Sequence, residues 1–266
     1  WSPYHGAAYA VIEATARLVA TGANWSKARF SYQEYFERMD KQADRFGQPL
    51  AALLGSIEAQ SQLGLPSIGG KDSMSGTFEE LTVPPTLVAF GVTTTDSDKV
   101  LSPEFKAAGE NIYYIPGQAL SQTIDFDLIK SNFASFASLQ DKHQITAASA
   151  VKYGGLLESL ALMTFGNHIG AEVELDKLDT SLTGQLGGFV FSSPAEIDGL
   201  VKLGQTSDNF TLLVNGVKLS GDKLLSAFEG KLGEVYTTEF KQETNLESVP
   251  AVLTDDVKEA KVKVAK

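Results

Sequence analysis

The sequence predicts a fold that mixes helices and strands, of the α+β or the α/β class, and three observations support that prediction. Apolar residues recur at helical spacing over residues 49–63, and a β-branched, almost wholly apolar run covers residues 86–95. Helical and strand patterns alternate again beyond residue 110. A chain of 266 residues is long enough for two hydrophobic cores, so we expect two domains.

The composition excludes several classes of protein. The hydrophobic fraction of 43% and the charged fraction of 21% are those of an ordinary globular protein. No apolar run approaches the roughly 20 residues of a transmembrane helix. The net charge of -11 opposes binding to nucleic acid or to anionic membranes. The absence of cysteine excludes disulfides and thiolate metal sites, and it favours a cytoplasmic location.

Two helices and one strand are predicted before the apolar run. Residues 6–21 are rich in alanine and end before Gly22, which is typical of a helix, and residues 27–32 alternate as a strand does. A second helix is expected to begin at Pro49 and to end before Gly64. The predicted buried face of this second helix consists of Leu50, Leu53, Leu54 and Ile57.

A polar, glycine-rich segment at residues 64–80 separates this helix from the apolar run. We expect a short strand at residues 65–68, then a loop, and then a central strand over residues 86–95 that is buried on both faces. The loop would bring backbone N–H groups close to a ligand, because glycine has no Cβ. A polar turn without a binding role is the alternative.

The side chains of this segment suit an anion. Lys71 and the hydroxyls of Ser73 and Ser75 can meet a group such as phosphate. The three histidines, in contrast, have no second histidine or paired carboxylate at ligand spacing, so the sequence assigns no metal ligand and no Ser-His-Asp triad. They are His5, His143 and His168.

The second half continues the alternation after a polar crossing at residues 96–109. Strands are predicted at residues 111–115, 146–150, 171–175, 188–191 and 210–214. Helices are predicted at residues 127–140, 155–165, 194–202 and 222–228.

The run Gly64-Leu-Pro-Ser-Ile-Gly-Gly-Lys-Asp-Ser-Met-Ser resembles the second half of the synthetase core of phosphoribosylformylglycinamidine synthase (FGAM synthase). Three further segments are similar to the same region in the same order, and the resemblance spans about residues 2–240. They are Ser2-Pro-Tyr-His-Gly-Ala-Ala-Tyr-Ala-Val-Ile-Glu-Ala, Val83-Pro-Pro-Thr-Leu-Val-Ala-Phe-Gly-Val-Thr and Tyr153-Gly-Gly-Leu-Leu-Glu-Ser-Leu-Ala-Leu-Met.

The resemblance implies a fold of the PurM-like, aminoimidazole ribonucleotide synthetase-like superfamily. Residues 1–98 would be a truncated N-terminal α+β domain, residues 99–240 a C-terminal α/β domain, and residues 241–266 a linker towards a glutaminase domain. The implied partners are the first half of the synthetase core and the glutaminase domain of the same polypeptide. An unpaired sheet edge would also allow a homodimer of the fragment.

The implied activity is that of a ligase of purine biosynthesis. In the family's reaction ATP phosphorylates the amide oxygen of formylglycinamide ribonucleotide, and ammonia from glutamine displaces the phosphate. ATP and Mg²⁺ are the implied cofactors. The fragment alone is expected to be inactive, because it contains no cysteine to act as the glutaminase nucleophile and lacks the other half of the core.

The resemblance also assigns residues. Ser73, Asp72 and Ser75 would bind the ribonucleotide substrate, and Gly69, Gly70 and Lys71 would bind the nucleotide. Either Lys71 or Asp72 would face the phosphate or its metal. Some relatives have a metal-binding Asn where Lys71 stands, and a lysine ammonium group cannot coordinate Mg²⁺.

An auxiliary nucleotide-magnesium site of the long-chain relatives is expected to be degenerate. Glu13 retains one ligand, whereas Arg17 replaces an Asn, and Ala150 and Lys152 stand in place of an Asp-containing run. We expect Arg17 to pair with Glu13, and Lys152 to add fixed charge, instead of an ion. Two alternatives remain: a non-catalytic scaffold half with a decayed nucleotide site, and another ATP-dependent enzyme of the same superfamily.

Overall fold

The structure, a computed structural model, describes residues 2–142, 144–175 and 182–236. Its helices are α1 (Pro3–Ala20), α2 (Ala43–Leu63), α3 (Phe126–Asp141), α4 (Gly155–Phe165) and α5 (Gly221–Gly230). Its strands are β1 (Arg29–Tyr35), β2 (Ser67–Ser73), β3 (Thr77–Phe78), β4 (Leu81–Thr82), β5 (Thr86–Val92), β6 (Asn111–Ile115), β7 (Gln118–Ala119), β8 (Ala147–Val151), β9 (Gly170–Val173), β10 (Gln185–Leu186), β11 (Gly188–Ser193), β12 (Val201–Ser207), β13 (Thr211–Val214) and β14 (Val217–Ser220). The predicted α+β class is confirmed.

The first sheet has the strand order β2-β1-β5. Strand β1 pairs with β2 in parallel and with β5 in antiparallel orientation. Helix α1 begins at Pro3 because the side chain of Ser2 caps its first turn, and it packs against α2, β5 and β8. Phe30 of β1 is fully buried in the same hydrophobic cluster as Val11 and Ile12 of α1. One face of this sheet is therefore covered by helices.

The second sheet has the order β14-β13-β9-β12-β6-β11-β8, and only the β13–β9 pair within it is parallel. Successive residues of β11 point to opposite faces. Phe189 contacts Phe136 of α3, with ring centres 4.7 Å apart, whereas Val190 lies in the cluster that contains Leu160 and Met163 of α4. Helices α3 and α4 thus cover opposite faces of this sheet.

The chain divides into two compact units, Trp1–Ser226 and Ala227–Lys266. Residues 227–236 are the described part of the second unit. The predicted domain boundaries after residues 98 and 240 remain predictions, and both the proposed linker at residues 241–266 and His143 lie outside the described residues. Within the described ranges, no helix is long and apolar enough to cross a membrane.

The prediction for α2 was wrong in its start and in its buried face. The helix begins at Ala43, so Pro49 lies inside it, although its end at Gly64, in left-handed conformation with φ 68°, is confirmed. The four predicted core residues are exposed: Leu50 57%, Leu53 47%, Leu54 51% and Ile57 47%. The buried residues are Ala52, Gly55, Ser56, Ala59 and Leu63.

Close packing of the two helices explains why α2 buries small residues. A Cβ on Gly55 would lie 1.9 Å from the backbone oxygen of Tyr4 in α1. Only a residue without a side chain allows this approach, and it places the small face of α2 against α1. Leu50, Leu53, Leu54 and Ile57 therefore form an exposed stripe on the opposite side of α2.

Three other predictions were wrong. The segment at residues 86–95 was expected to be a central strand, but β5 is an edge strand of the described sheet, with Phe90 47% and Val92 69% exposed. Residues 194–202 were expected to be a helix, and instead they lead into β12. The predicted loop after residue 68 is largely the strand β2.

Substitutions in these two environments should differ in their effect on stability. Phe136→Ala, in the fully buried aromatic cluster, is expected to lower the free energy of unfolding by about 3–5 kcal/mol. Leu54→Ala, on the exposed stripe, should change it by roughly 0.5 kcal/mol or less. Urea denaturation of both variants measures this contrast, and a cost of several kcal/mol for Leu54→Ala would contradict the position of α2.

Candidate functional site

The glycine-rich motif lies on β2, beside β1. The paired residues in the two parallel strands include Tyr32 with Gly70, Glu34 with Asp72, and Tyr35 with Ser73. A Cβ on Gly70 would lie 2.8 Å from the backbone oxygen of Tyr32, so a side chain there would push the strands apart. Glycine therefore serves strand pairing at Gly70, in addition to any role at a ligand.

Side-chain alternation divides the predicted site residues between the two faces of the sheet. Asp72 lies beside Glu34, on the face towards α2. Lys71 and Ser73 lie on the other face, where Lys71 Nζ is 5.3 Å from the centre of the Tyr35 ring. The structure thus brings Lys71 and Ser73 together and separates both from Asp72.

The other two predicted residues lie at the ends of this arrangement. Gly69, with Gly70 and Asp72, lines the helix-facing side of the strand. Ser75 follows the end of β2 and is exposed. Lys71 is likewise exposed and Ser73 is half-buried, so both side chains are accessible to a ligand on the outer face.

A groove of about 880 Å³ runs between α2 and β2, on the helix-facing side. Its helix wall carries apolar side chains, Leu50, Leu53 and Ile57, and its sheet wall carries Glu34 and Asp72. Lys71 and Ser73 do not line it. The groove and the outer face of β2 are therefore two separate surfaces of one strand.

The carboxyl group of Glu34 has an unusual environment. Glu34 is 8% exposed, and its burial together with the neighbouring Asp72 carboxylate raises its pKa to about 7. Burial also raises the pKa of Tyr32 above its usual range, and the Tyr32 hydroxyl oxygen is buried with no hydrogen-bond partner in the described part of the chain. The sequence did not predict that Glu34 and Tyr32 lie beside Asp72, because that position depends on the register of two distant strands.

The residues of the expected auxiliary site are placed as follows. Glu13 and Arg17 form the predicted ion pair on α1, with Arg17 Nη1 3.8 Å from Glu13 Oε1. Ala150 is 3% exposed and packs in the core beneath α1. The carbonyl oxygen of Lys152 accepts hydrogen bonds from the backbone N–H groups of Gly155 and Gln185, at 3.0 and 3.2 Å.

These residues do not fit a magnesium ion. The guanidinium of Arg17 is a cation and the methyl group of Ala150 has no lone pair, so neither side chain can coordinate a metal. Across residues 2–142, 144–175 and 182–236, no group of three or more His, Cys, Asp or Glu side chains is placed to hold a metal. The carboxyl groups of Glu34 and Asp72 lie on the face of the sheet opposite to Lys71.

The chain folds into a three-stranded sheet under two helices, followed by a seven-stranded sheet between two helices. Solved structures share this fold. The structure of Thermotoga maritima PurL complexed with ATP has a TM-score of 0.66 at 15% identity and covers 84% of this chain and 41% of that chain. Thiamine monophosphate kinase from Aquifex aeolicus has a TM-score of 0.57 at 12% identity and covers 83% of this chain and 84% of that chain.

The amino-acid sequence is also similar to those of curated proteins. The chain is 26% identical, over 240 residues, to the phosphoribosylformylglycinamidine synthase subunit PurL of Picrophilus torridus, across 79% of this chain and 31% of the relative. It is 23% identical, over 269 residues, to PurL of Lactobacillus delbrueckii, across 90% of this chain and 34% of the relative. No family model matches the chain. The predicted resemblance to FGAM synthase is confirmed, and the chain spans about a third of the length of these relatives.

The raised pKa of Glu34 predicts how stability depends on pH. The protonated form, favoured by the fold, contributes stability that is fully present below pH 4.5 and is lost as pH rises through about 7. Glu34→Gln should therefore reduce the loss of stability between pH 5 and pH 8 by about 2 kcal/mol. Urea denaturation at both pH values measures this, with Glu58→Gln on α2 as the control. Equal pH dependence in the two variants would contradict the buried carboxyl pair.

The ion pair between Glu13 and Arg17 predicts that no metal ion binds beside Glu13. Crystals soaked with ADP and Mg²⁺ should show no metal density beside Glu13, because its carboxylate is paired with the cationic Arg17 side chain. Clear magnesium density at Glu13 would contradict this assignment.

Proposed function

We propose that this chain forms part of an FGAM synthase, which amidates formylglycinamide ribonucleotide with ATP and with ammonia derived from glutamine. The observation that supports it is the similarity to curated PurL proteins across 79% to 90% of the chain. Solved structures of the similar T. maritima PurL include complexes with ATP and with FGAR. We also propose a cytoplasmic location, on the basis of the cysteine-free composition.

In this proposal the outer face of β2 binds an anionic group of the substrate or nucleotide. The ammonium group of Lys71 attracts phosphate oxygens, and the hydroxyl of Ser73 donates a hydrogen bond. Ser75 extends the polar surface beyond the end of the strand. Because the two main groups lie on the same face, one ligand can contact both.

The remaining predicted ligand residues enter the proposal in a narrower role. Gly69 and Gly70 allow a nucleotide to approach the edge of β2, whereas Asp72 is oriented towards the groove and away from Lys71. ATP supplies the phosphoryl group that activates the amide oxygen. No Asp or Glu of β1, β2 or β5 lies on this face to hold the Mg²⁺ that such a nucleotide carries.

The proposed partners are the first half of the synthetase core and a glutaminase domain. The outer face of the first sheet supports the former, because α1 and α2 cover only the opposite face. Phe90 and Val92 lie on this outer face and are 47% and 69% exposed. An apolar sheet face of this kind is typical of a surface that pairs with another domain.

A second candidate function is that of a non-catalytic scaffold half. The Glu13–Arg17 ion pair and the buried Ala150 favour it, because they stand where the auxiliary site would hold an ion. Another ATP-dependent enzyme of the superfamily is a third candidate, supported by the fold shared with thiamine monophosphate kinase.

Substitutions on β2 in the complete enzyme distinguish these functions. Lys71→Ala and Ser73→Ala should each lower kcat/KM for formylglycinamide ribonucleotide by about 10- to 100-fold, since each removes a charge-assisted hydrogen bond worth about 1.5–3 kcal/mol. Lys218→Ala, on exposed strand β14, is the matched control. Unchanged turnover in both β2 variants would favour the scaffold. The 266-residue chain alone, with ATP, ammonia and substrate, should show no amidation.

A further inference from the structure

The groove between α2 and β2 lies on the side of the sheet that the proposed anion site does not use. We propose that this groove binds a β-strand of another polypeptide, which carries a basic side chain between apolar ones. Three features of the groove support this occupant: a free strand edge, an apolar helix wall and an uncompensated pair of carboxyl groups.

The free edge belongs to β2. This strand pairs with β1 on one side, and none of the described strands pairs with its other side. The carbonyl oxygen of Ser73 accepts a hydrogen bond from the N–H of Phe36 at 2.8 Å, so alternate residues of β2 bond towards β1. The backbone groups of Gly70 and Asp72 therefore point to the open edge. Such an edge is a template for an added strand.

The apolar wall belongs to α2. Leu50, Leu53 and Ile57 recur at the spacing of one helix face, and they are 57%, 47% and 47% exposed. Alternate side chains of an added strand would pack against these residues and remove apolar surface from water.

The charge of the groove defines the third feature. Glu34 and Asp72 lie next to each other on the sheet wall, and no Lys, Arg or His lines the groove among the residues that the structure describes. One lysine or arginine of the incoming strand would compensate both carboxyl groups, at a position where a neutral or acidic side chain would not.

A small cation alone explains less of the groove. A cation would bind to the two carboxyl groups, but it would leave the apolar side chains of α2 and the open edge of β2 exposed to water. A helix would cover the wall but could not bond to the free N–H and C=O groups of β2. An extended segment uses all three features at once.

Peptide binding to the 266-residue chain tests the proposal. The probe is a fluorescein-labelled peptide, Thr-Val-Thr-Lys-Thr-Val-Thr, whose Lys and Val side chains share one face of an extended strand, and the control peptide has Glu in place of Lys. We expect the Lys peptide to bind at least tenfold more tightly by fluorescence anisotropy, and the Glu34→Gln/Asp72→Asn double variant to lose this preference. Equal affinity of the two peptides for the unmodified chain, or no binding, would overturn the proposal.

Two neighbouring leucines of α2 provide a matched pair of variants. Leu53 lines the groove and Leu54 does not, although both are about half exposed. Leu53→Asn should weaken peptide binding at least fivefold, whereas Leu54→Asn should leave it unchanged. Both substitutions lie at exposed positions, so neither is expected to unfold the chain. Equal effects of the two would place the peptide elsewhere.

Amide hydrogen exchange and pH add two independent readouts. The amides of Gly70 and Asp72 should gain protection when the Lys peptide binds. The titratable groups that line the groove are Tyr32, Glu34 and Asp72, so affinity for the Lys peptide should rise from pH 6 to pH 8 as Glu34 loses its proton. If the amides gain protection only when Mg²⁺ is added, a cation is the occupant and the proposal is overturned. If they gain protection without peptide and sedimentation shows self-association of the chain, a second copy is the occupant and the proposal is likewise overturned.

Discussion

The parallel pairing of β1 with β2 determines where every residue of the glycine-rich motif lies. Pairing Glu34 with Asp72, and Tyr35 with Ser73, orients Asp72 towards the helices and Lys71 and Ser73 away from them. A shift of this register by one residue would exchange the two faces. Gly70 maintains the pairing, since a Cβ at this position would collide with the backbone of Tyr32. The anion-binding surface and the acidic groove are therefore two consequences of one register.

The contact between α1 and α2 has an equally broad effect. Gly55 brings the helices together, so α2 buries alanine, glycine and serine and leaves its leucines outside. Those leucines form one wall of the groove, and β2 forms the other. Glu34 is buried in this arrangement, and its burial raises its pKa above that of an ordinary carboxyl group. Helix packing and strand register together thus create a surface that neither element has alone.

Local signals predicted the second half of the fold best. Strand β6 and helix α4 have the predicted bounds, because an apolar run between polar turns and a helix followed by Gly166 are unambiguous within a short window. Strand β12 was missed. Its sequence, Val-Lys-Leu-Gly-Gln-Thr-Ser, is polar and contains a glycine, and it becomes a strand because β6 and β9 pair with it on both sides. Hydrogen bonding to strands that are distant in sequence therefore stabilises β12, although its own residues have low strand propensity.

The sequence by itself determined the mixed helix and strand class, the helices of the described ranges, the resemblance to FGAM synthase and the chemical types available in the motif. These depend on residue identity and short-range periodicity. The Glu13–Arg17 pair was predictable for the same reason, because both residues lie on one helix, one turn apart. The tertiary structure decided that the motif is a strand, that Asp72 and Lys71 point in opposite directions, and that Glu34 and Tyr32 belong beside Asp72. Those facts depend on the register between strands more than thirty residues apart, and no local pattern of side chains specifies such a register.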